Sequence, residues 1–267
     1  MLRGVVIVVL GACGFQSGQP ITPPSDALDG PAIDADVRPP DAPDAPPDAP
    51  PPEPPPLCDP KDALMACYTF DRNLDDESSH HLNPNPVMNA VTGAGRFGMA
   101  LQLSEMSVVD VPDSDVLDVA ALTIEAWVKL TALPPPGKRA VIIDVDGQYS
   151  LAIGDNGAAT CVLARDVTLS GGTLIRVGVW THVACTYGSG IGALYVDGFL
   201  GPMQAGGSAI RAGGKTGMSI GGDNAGPMRS HLVGSIDELR LMNVARTPAE
   251  ICASTGRYDC LTPVPIP

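Results

Sequence analysis

Hydrophobic and polar residues alternate along several short segments of this chain. In the segment 122–130 every second residue is apolar, and the segment 180–187 shows the same alternation. A period of two predicts β-strands with one buried face. Asp-Gly or Asn-Gly dipeptides, which tolerate the positive φ angles of tight hairpins, separate further apolar runs at 146–147, 156–157 and 197–198. Additional strands are predicted at 64–70, 100–103, 107–111, 173–177, 215–220 and 234–243.

This series of short strands and tight turns predicts an all-β fold. The expected architecture is a two-sheet antiparallel jelly-roll sandwich. One helical signature lies near the C-terminus, where Thr247 precedes Pro248 and Glu250 follows three residues after the threonine. This order matches an N-cap, a first helical position and a capping box. It predicts one short C-terminal helix.

The segment 14–57 has a different composition. Fifteen of the 28 prolines lie between Pro20 and Pro56, interleaved with Asp and Ala. With almost no apolar side chain to bury, we expect a disordered linker that extends by about 3.1 Å per residue where it adopts polyproline II. Residues 1–57 carry a net charge of −6, which leaves −8 of the total −14 for residues 58–267. We interpret the segment as a tether. The alternative is a proline-rich ligand for an aromatic groove.

Residues 1–13 have the form of an export signal. Arg3 precedes a short apolar run, which is too short to span a bilayer as a helix, and small residues follow it. The sequence Leu-Gly-Ala-Cys ending at Cys13 resembles a lipobox, in which the cysteine is acylated and anchors the protein to a membrane. This predicts a lipid anchor at Cys13 and an outer-membrane or cell-surface location. The alternative is an ordinary signal peptide that is cleaved later, with Cys13 incidental.

Eight motifs occur in an order that carries a family resemblance. They are CYTFD at 67–71, GRFGMALQL at 95–103, VDVPD at 109–113, LTIEAWVK at 122–129, WTHVA at 180–184, LYVDG at 194–198, GSIDELR at 234–240 and TPAEI at 247–251. Together they resemble the laminin-G-like jelly-roll domain of the concanavalin A-like lectin/glucanase superfamily. The resemblance covers residues 62–252, within a predicted domain at 58–267.

Six cysteines remain after Cys13, and an even number in an exported chain favours disulfides. Cys161 and Cys185 lie in predicted strands and could bridge neighbouring strands. The other four lie at the two ends of the domain, and bridges between the ends remain open. The simplest scheme is Cys58–Cys67, Cys161–Cys185 and Cys252–Cys260.

The superfamily includes glucanases, but the sequence shows no catalytic motif. Glycosidases need two carboxyl groups about 5–9.5 Å apart. Asp237 and Glu238 are consecutive and would point to opposite faces of a strand, and Glu125 stands alone on its strand. His182 matches a structural position of the family and is predicted to be packed rather than catalytic. We therefore predict that the protein is not an enzyme.

Calcium is the metal that the resemblance implies. Related sandwiches often hold one structural Ca²⁺ between early and late strands, and Ca²⁺ prefers carboxylate and carbonyl oxygens. The acidic residues in the corresponding regions are Asp71, Asp76 and Asp237. The alternative for Asp237 is that it caps a turn or pairs with Arg240.

A sugar site requires exposed aromatic side chains, and aromatic residues make up only 4% of the chain. Trp127 and Trp180 match positions that the family usually buries. The candidates for exposure are Tyr149, Phe199 and Tyr258. None of them belongs to a recognisable ligand motif, so the sequence leaves the ligand-binding residues unknown.

These observations predict a non-catalytic cell-surface recognition module that binds a glycan or a surface protein. The net charge of −14 argues against nucleic acid as a partner. Two alternatives remain: a structural or adhesive envelope protein with no soluble ligand, and a degenerate glycoside hydrolase. An exposed aromatic platform would favour glycan binding, whereas a broad apolar patch would favour a structural partner.

Overall fold

The computed structural model describes residues 57–59, 61, 63–145, 147–163, 167–206, 210, 217–223, 230–257 and 259–260. The predicted signal with Cys13, and the linker as far as residue 56, lie outside the described residues. The strands are β1 (Leu64–Tyr68), β2 (Val87–Met88), β3 (Val91–Ala94), β4 (Met99–Leu103), β5 (Val108–Val111), β6 (Leu122–Leu130), β7 (Arg139–Val145), β8 (Tyr149–Gly154), β9 (Ala159–Leu163), β10 (Val167–Gly171), β11 (Thr181–Gly188), β12 (Ile191–Val196), β13 (Phe199–Ala205), β14 (Met218–Ile220) and β15 (Gly234–Met242). A 3-10 helix spans Asp115–Leu117, and the helix α1 spans Pro248–Ser254.

The strands form two antiparallel sheets that pack as a sandwich, which confirms the predicted fold class. The first sheet has the order β13-β12-β11-β6-β15-β4-β3, and β1 also pairs with β15. The second sheet has the order β10-β9-β8-β7-β14-β5-β2. Hairpins of consecutive strands form the β13-β12-β11 and β10-β9-β8-β7 parts of the sheets, whereas pairs such as β6-β15 and β7-β14 join strands that are distant in sequence, as expected for a jelly roll.

The hydrophobic core lies between the two sheets. Leu122, Ile124 and Leu130 of β6 are fully buried there and belong to the same cluster as Ile142 and Leu151 of the second sheet. However, β6 has buried side chains on both of its faces. The alternating pattern predicted one buried face, and the second is buried because other parts of the chain cover the outer surface of the first sheet.

The helix α1 provides part of this cover. It begins as predicted: the Thr247 side chain accepts a hydrogen bond from the Glu250 backbone, and the Glu250 side chain accepts one from the Thr247 backbone. Ile251 of α1 is buried against side chains of β11 and β12. These side chains are Ala184, Ala193 and Tyr195.

Three disulfides join the same pairs as the simplest scheme: Cys58–Cys67, Cys161–Cys185 and Cys252–Cys260. The middle bridge differs from the expectation in one respect. Cys161 lies in β9 of the second sheet and Cys185 in β11 of the first sheet. The bridge therefore crosses the sandwich and does not join neighbouring strands of one sheet.

The prediction of a strand at 173–177 is wrong, because these residues lie in the connection between β10 and β11. Gly172 and Gly178, on either side, have φ angles of 84° and 79° and turn the chain away from extended geometry. Ile175 alone is buried in the core. The segment 173–177 forms a loop with exposed apolar side chains at Leu174 and Val177.

Candidate functional site

The strand β15, which lies in the middle of the first sheet, pairs with two different strands along one of its edges. Residues 234–236 of β15 pair with β4, whereas residues 239–242 pair with β1. Asp237 and Glu238 lie between these two ladders, at a register shift in the pairing with β6. Glu238 has a φ of 53°, which is uncommon for a residue with a side chain. Irregular backbone of this kind concentrates at functional sites.

The turn 95–98 is attached to this break through Asp237. The Oδ2 atom of Asp237 accepts hydrogen bonds from the backbone N–H groups of Arg96 at 2.7 Å and Phe97 at 3.0 Å. Asp237 itself is fully buried. It therefore caps a turn, which was one of the alternatives that the sequence left open, and it holds the side chains of this turn in place.

Asp71, which follows β1, approaches the same turn. Its Oδ1 atom accepts a hydrogen bond from the Met99 backbone at 2.8 Å. Gly98 has a φ of 49°, and a Cβ atom at this position would lie 2.0 Å from Asp71 Oδ1. Only glycine leaves room for the Asp71 carboxylate here. Gly98 therefore provides the space for this carboxylate, and the backbone of Met99 donates a hydrogen bond to it.

Asp71, Asp237 and Glu238 form a carboxylate cluster with unusual electrostatics. Burial, with a smaller contribution from Asp71, raises the pKa of Asp237 to about 6 despite its hydrogen bonds from the turn. Burial and repulsion from Asp237 and Asp71 raise the pKa of Glu238 to about 7. The Oδ1 atom of Asp237 is buried and has no hydrogen-bond partner among the described residues. The cluster holds more negative charge than its surroundings stabilise.

We expect this cluster to make stability depend on pH. The folded state retains protons at Asp237 and Glu238 after the unfolded chain has lost them, so their contribution is complete below about pH 4 and is lost as pH rises through about 6 and 7. The melting temperature in chelator-containing buffer should therefore fall between about pH 5 and pH 7.5. Asp237→Asn should flatten this slope.

The control is Asp113→Asn, which changes an exposed acid outside the cluster. Its melting temperature should follow the wild-type slope. If the wild-type protein and Asp237→Asn show the same slope, the raised pKa inferred for Asp237 is contradicted.

Asp76, the third acid of the predicted calcium site, has a different role. Its Oδ1 atom accepts hydrogen bonds from the backbones of Cys67 and Ser78, and its Oδ2 atom accepts from the Ser78 hydroxyl and the Leu82 backbone. These four hydrogen bonds, of 2.7–2.9 Å, occupy its oxygens and hold the following loop on β1. Among the described residues, no three His, Cys, Asp or Glu side chains are grouped as a metal site. Calcium binding stays a prediction, and it now depends on Asp71 and Asp237.

Next to the cluster lies an aromatic surface that the sequence reasoning missed. Phe97 is 45% exposed, at the tip of the turn that Asp237 caps. The guanidinium carbon of Arg96 lies 5.1 Å from the centre of the Phe97 ring and 4.8 Å from that of Trp127. The two rings meet edge to face at 6.0 Å. We call the exposed surface that Arg96 and Phe97 form the Phe97 surface.

Glu125 is buried on the outer face of the first sheet, where three side chains lie close to its carboxylate. Its Oε1 atom is 2.7 Å from a guanidinium nitrogen of Arg240 and 2.6 Å from one of Arg246. Its Oε2 atom is 3.4 Å from the His182 ring. Burial would raise the pKa of Glu125, but the neighbouring Arg240, His182 and Arg246 outweigh it and lower the pKa to about 2. A carboxylate held in the ionised state does not serve as a general acid.

The aromatic residues named from the sequence are placed differently from the expectation. Tyr149 is buried, and its hydroxyl donates to the Leu117 carbonyl, so its expected exposure was wrong. Phe199 is half-buried beneath Arg257. Trp127 is buried, but on the outer face of the first sheet, and Trp180 is only half-buried. Tyr258 lies outside the described residues.

The fold and the partner change at β15 define a jelly-roll sandwich, and the family comparison agrees with this class. Residues 103–252, more than half of the chain, match the Laminin G 3 model of the concanavalin A-like lectin/glucanases superfamily. The chain belongs to this superfamily. Among curated proteins, none matches the chain in sequence.

Solved structures share the fold at low sequence identity. Domain 4 of AbnA, a GH43 extracellular arabinanase from Geobacillus stearothermophilus in complex with arabinotriose, is 20% identical over 71% of this chain and 97% of that domain, with a TM-score of 0.57. The binding domain of botulinum neurotoxin DC matches in complexes with rat synaptotagmin II, at 13% identity, and with SialylT, at 12%. These two matches have TM-scores of 0.56 and 0.55 and cover 74% and 73% of this chain. The chain spans about half of the toxin domains, 52% and 51%.

The three disulfides indicate an exported protein, because disulfides persist in oxidising compartments. Within the described part of the chain, no helix has the length and apolar character needed to cross a membrane.

Proposed function

We propose that this protein is a non-catalytic recognition module that binds glycans through the Phe97 surface. The observation that carries this proposal is an exposed aromatic ring on a turn that a buried carboxylate holds in place. Sugar rings present apolar C–H faces that pack on aromatic rings, and their hydroxyl groups need nearby hydrogen-bonding groups. Arg96 and Asp71, which are both exposed, supply such groups beside Phe97.

The attachment of the turn supports binding in a second way. Ordering a flexible loop would reduce the affinity for a ligand, and a preformed site avoids this cost. The two hydrogen bonds to Asp237 and the edge-to-face contact with Trp127 fix the turn before any ligand arrives. Two structural neighbours solved with arabinotriose and SialylT are consistent with glycan binding by this fold.

We propose that the module is displayed from the cell envelope. The lipobox-like sequence at Cys13 would provide the lipid anchor, with the outer membrane or the cell surface as its location. The proline-rich segment 14–57 would act as the tether that holds the domain away from the membrane.

We further propose that one structural Ca²⁺ supports the Phe97 surface. The buried Asp237 Oδ1 atom, which lacks a hydrogen-bond partner among the described residues, and the neighbouring Asp71 suit a hard cation. Bound calcium would neutralise the repulsion between these acids and stiffen the turn that carries Phe97. Backbone carbonyl oxygens would have to complete the coordination.

A glycan array tests the binding proposal, with the full-length chain applied once in calcium and once in chelator. We expect Phe97→Ala to lose at least tenfold of the wild-type signal, because it removes the exposed ring. Phe199→Ala is the matched control: it removes another phenylalanine that lies under an arginine, and we expect its signal within about twofold of wild type. A signal that weakens in chelator would support the calcium proposal.

A blank array for the wild-type protein in both conditions would contradict glycan binding for the sugars tested. Equal signals from wild type and Phe97→Ala would place the sugar site away from the Phe97 surface. The degenerate-hydrolase alternative has weaker support, since Glu125 is buried in a cluster with two arginines.

A further inference from the structure

Four exposed aliphatic side chains gather at one end of the sandwich. Leu133 lies in the β6–β7 connection and is 40% exposed. Leu174, Val177 and Val179 lie in the β10–β11 connection and are 55%, 47% and 50% exposed. We call these four residues the loop-end surface. Exposed apolar side chains that cluster in this way commonly mark an interaction site.

Hydrogen bonds hold the β10–β11 connection against the turn between β8 and β9 and against the end of β6. The backbone N–H of Ile175 donates to the Gly157 carbonyl at 2.8 Å, and that of Gly178 donates to the Leu130 carbonyl at 2.8 Å. A Cβ atom on Gly157 would lie 3.7 Å from the Leu133 side chain, so the turn at Gly157 connects Leu133 to the β10–β11 loop. The four aliphatic residues therefore belong to one ordered surface.

The charges around this surface differ from those of the domain as a whole. Lys138 and Arg176 are exposed in the same two connections. Arg139 pairs at 3.7 Å with Asp223, and the Asp155 carboxylate accepts a hydrogen bond from the Gly137 backbone. These connections and the residues beside them carry three cations and two acids, with Arg139 and Asp223 paired, whereas residues 58–267 carry a net charge of −8. The loop-end surface is apolar with a basic margin.

A second group of exposed apolar residues provides a contrast. Met88 and Met106 are 52% and 71% exposed near the edge strand β2. Glu105 precedes Met106 in the sequence, and Asp110 lies on the adjoining strand β5. This group has acidic neighbours, so the two apolar surfaces should differ in their response to an anionic partner.

We propose that the loop-end surface docks on anionic lipid membranes. Aliphatic side chains on loop tips can enter the boundary between headgroups and acyl chains, and lysine and arginine beside them attract anionic headgroups. The half-buried Trp180, which follows Val179, suits this interfacial depth. The contact is independent of both the lipid anchor and the glycan proposal.

Vesicle co-sedimentation tests this proposal with the full-length chain carrying Cys13→Ser, which removes any acyl chain. The probes are phosphatidylcholine vesicles and vesicles that contain about 30% phosphatidylglycerol. We expect at least threefold more binding to the anionic vesicles, and salt should weaken it because screening shortens the range of the attraction. The double variant Leu174→Asp/Val177→Asp should bind no better to anionic than to neutral vesicles.

The matched control is Met88→Asp/Met106→Asp, which adds the same charge at the other apolar surface. It should keep the wild-type preference for anionic vesicles. If both double variants lose binding equally, added negative charge explains the loss and the loop-end surface has no special role. If wild-type binding ignores anionic lipid, the proposal is overturned and a protein partner becomes the better explanation of this surface.

Tryptophan fluorescence gives an independent readout. The chain has two tryptophans, of which Trp127 is buried and Trp180 is half-buried. A blue shift on addition of anionic vesicles should therefore report on Trp180, and Leu174→Asp/Val177→Asp should abolish it. Circular dichroism of each variant checks that it is folded. A folded variant that keeps the full blue shift would contradict the proposal.

Discussion

Replacing Glu125 by alanine is expected to lower the free energy of unfolding by about 3–5 kcal/mol, the usual cost of breaking a buried ion pair. Arg240 and Arg246 both contact its Oε1 atom, and both are largely removed from solvent. Without the carboxylate, two buried guanidinium groups would repel each other. The remaining partner that they share is the Ser254 hydroxyl, which is neutral and lies at the end of α1.

The effect of Glu125→Ala should extend beyond the lost charge. Arg240 belongs to β15, Arg246 precedes α1, and His182 belongs to β11. Glu125 on β6 therefore joins three segments of the outer face of the first sheet. We expect α1 to lose protection from amide hydrogen exchange before the core strands do.

Chemical denaturation of three variants measures this effect. Glu125→Gln keeps the shape but not the charge, and it should fall between wild type and Glu125→Ala. Glu105→Ala, which removes an exposed acid, should change stability by no more than about 0.5 kcal/mol. A loss below about 1 kcal/mol for Glu125→Ala would show that water or a rearranged side chain compensates the two arginines.

The strands could be predicted because their information is local. Alternation over nine residues is sufficient to place β6, and three residue types at fixed spacing are sufficient to place the start of α1. The same local reasoning left Glu125 without partners, because Arg240 and Arg246 follow it by more than 100 residues. The prediction at 173–177 failed for a related reason: its β-branched and apolar residues favour a strand locally, but flanking glycines bend the chain.

At the candidate site, too, local sequence patterns did not reveal contacts between residues that are distant in the sequence. The resemblance selected Asp71, Asp76 and Asp237, but Asp76 has its oxygens occupied by the loop that follows it. Phe97 was overlooked because it belongs to a family motif that reads as a structural turn. Its exposure depends on Asp237, a residue 140 positions away that holds the turn on the sheet surface. No short-range signal in the sequence contains that contact.

Removing the disulfide between Cys161 and Cys185 is the other change with a large expected effect. The double variant Cys161→Ala/Cys185→Ala should lose about 3 kcal/mol of stability, the chain-entropy value for a loop of this length. The bridge closes a separation of 24 residues. For a domain of this size, the loss corresponds to a melting temperature lower by about 6–12 °C. The position of the bridge adds to the effect, because it joins the two sheets across the core.

Comparison with the reduced wild-type protein separates the cross-link from the packing. Both cysteines are 0% exposed, so the alanine variant also removes two sulfur atoms from the core. The reduced wild-type protein keeps these sulfur atoms. It loses the bond between Cys161 and Cys185 together with the two terminal bridges. The terminal bridges can be removed separately in Cys58→Ala/Cys67→Ala and Cys252→Ala/Cys260→Ala. If the inter-sheet variant is no less stable than these two, the sandwich holds its two sheets together by side-chain packing, and the disulfide across the core contributes little.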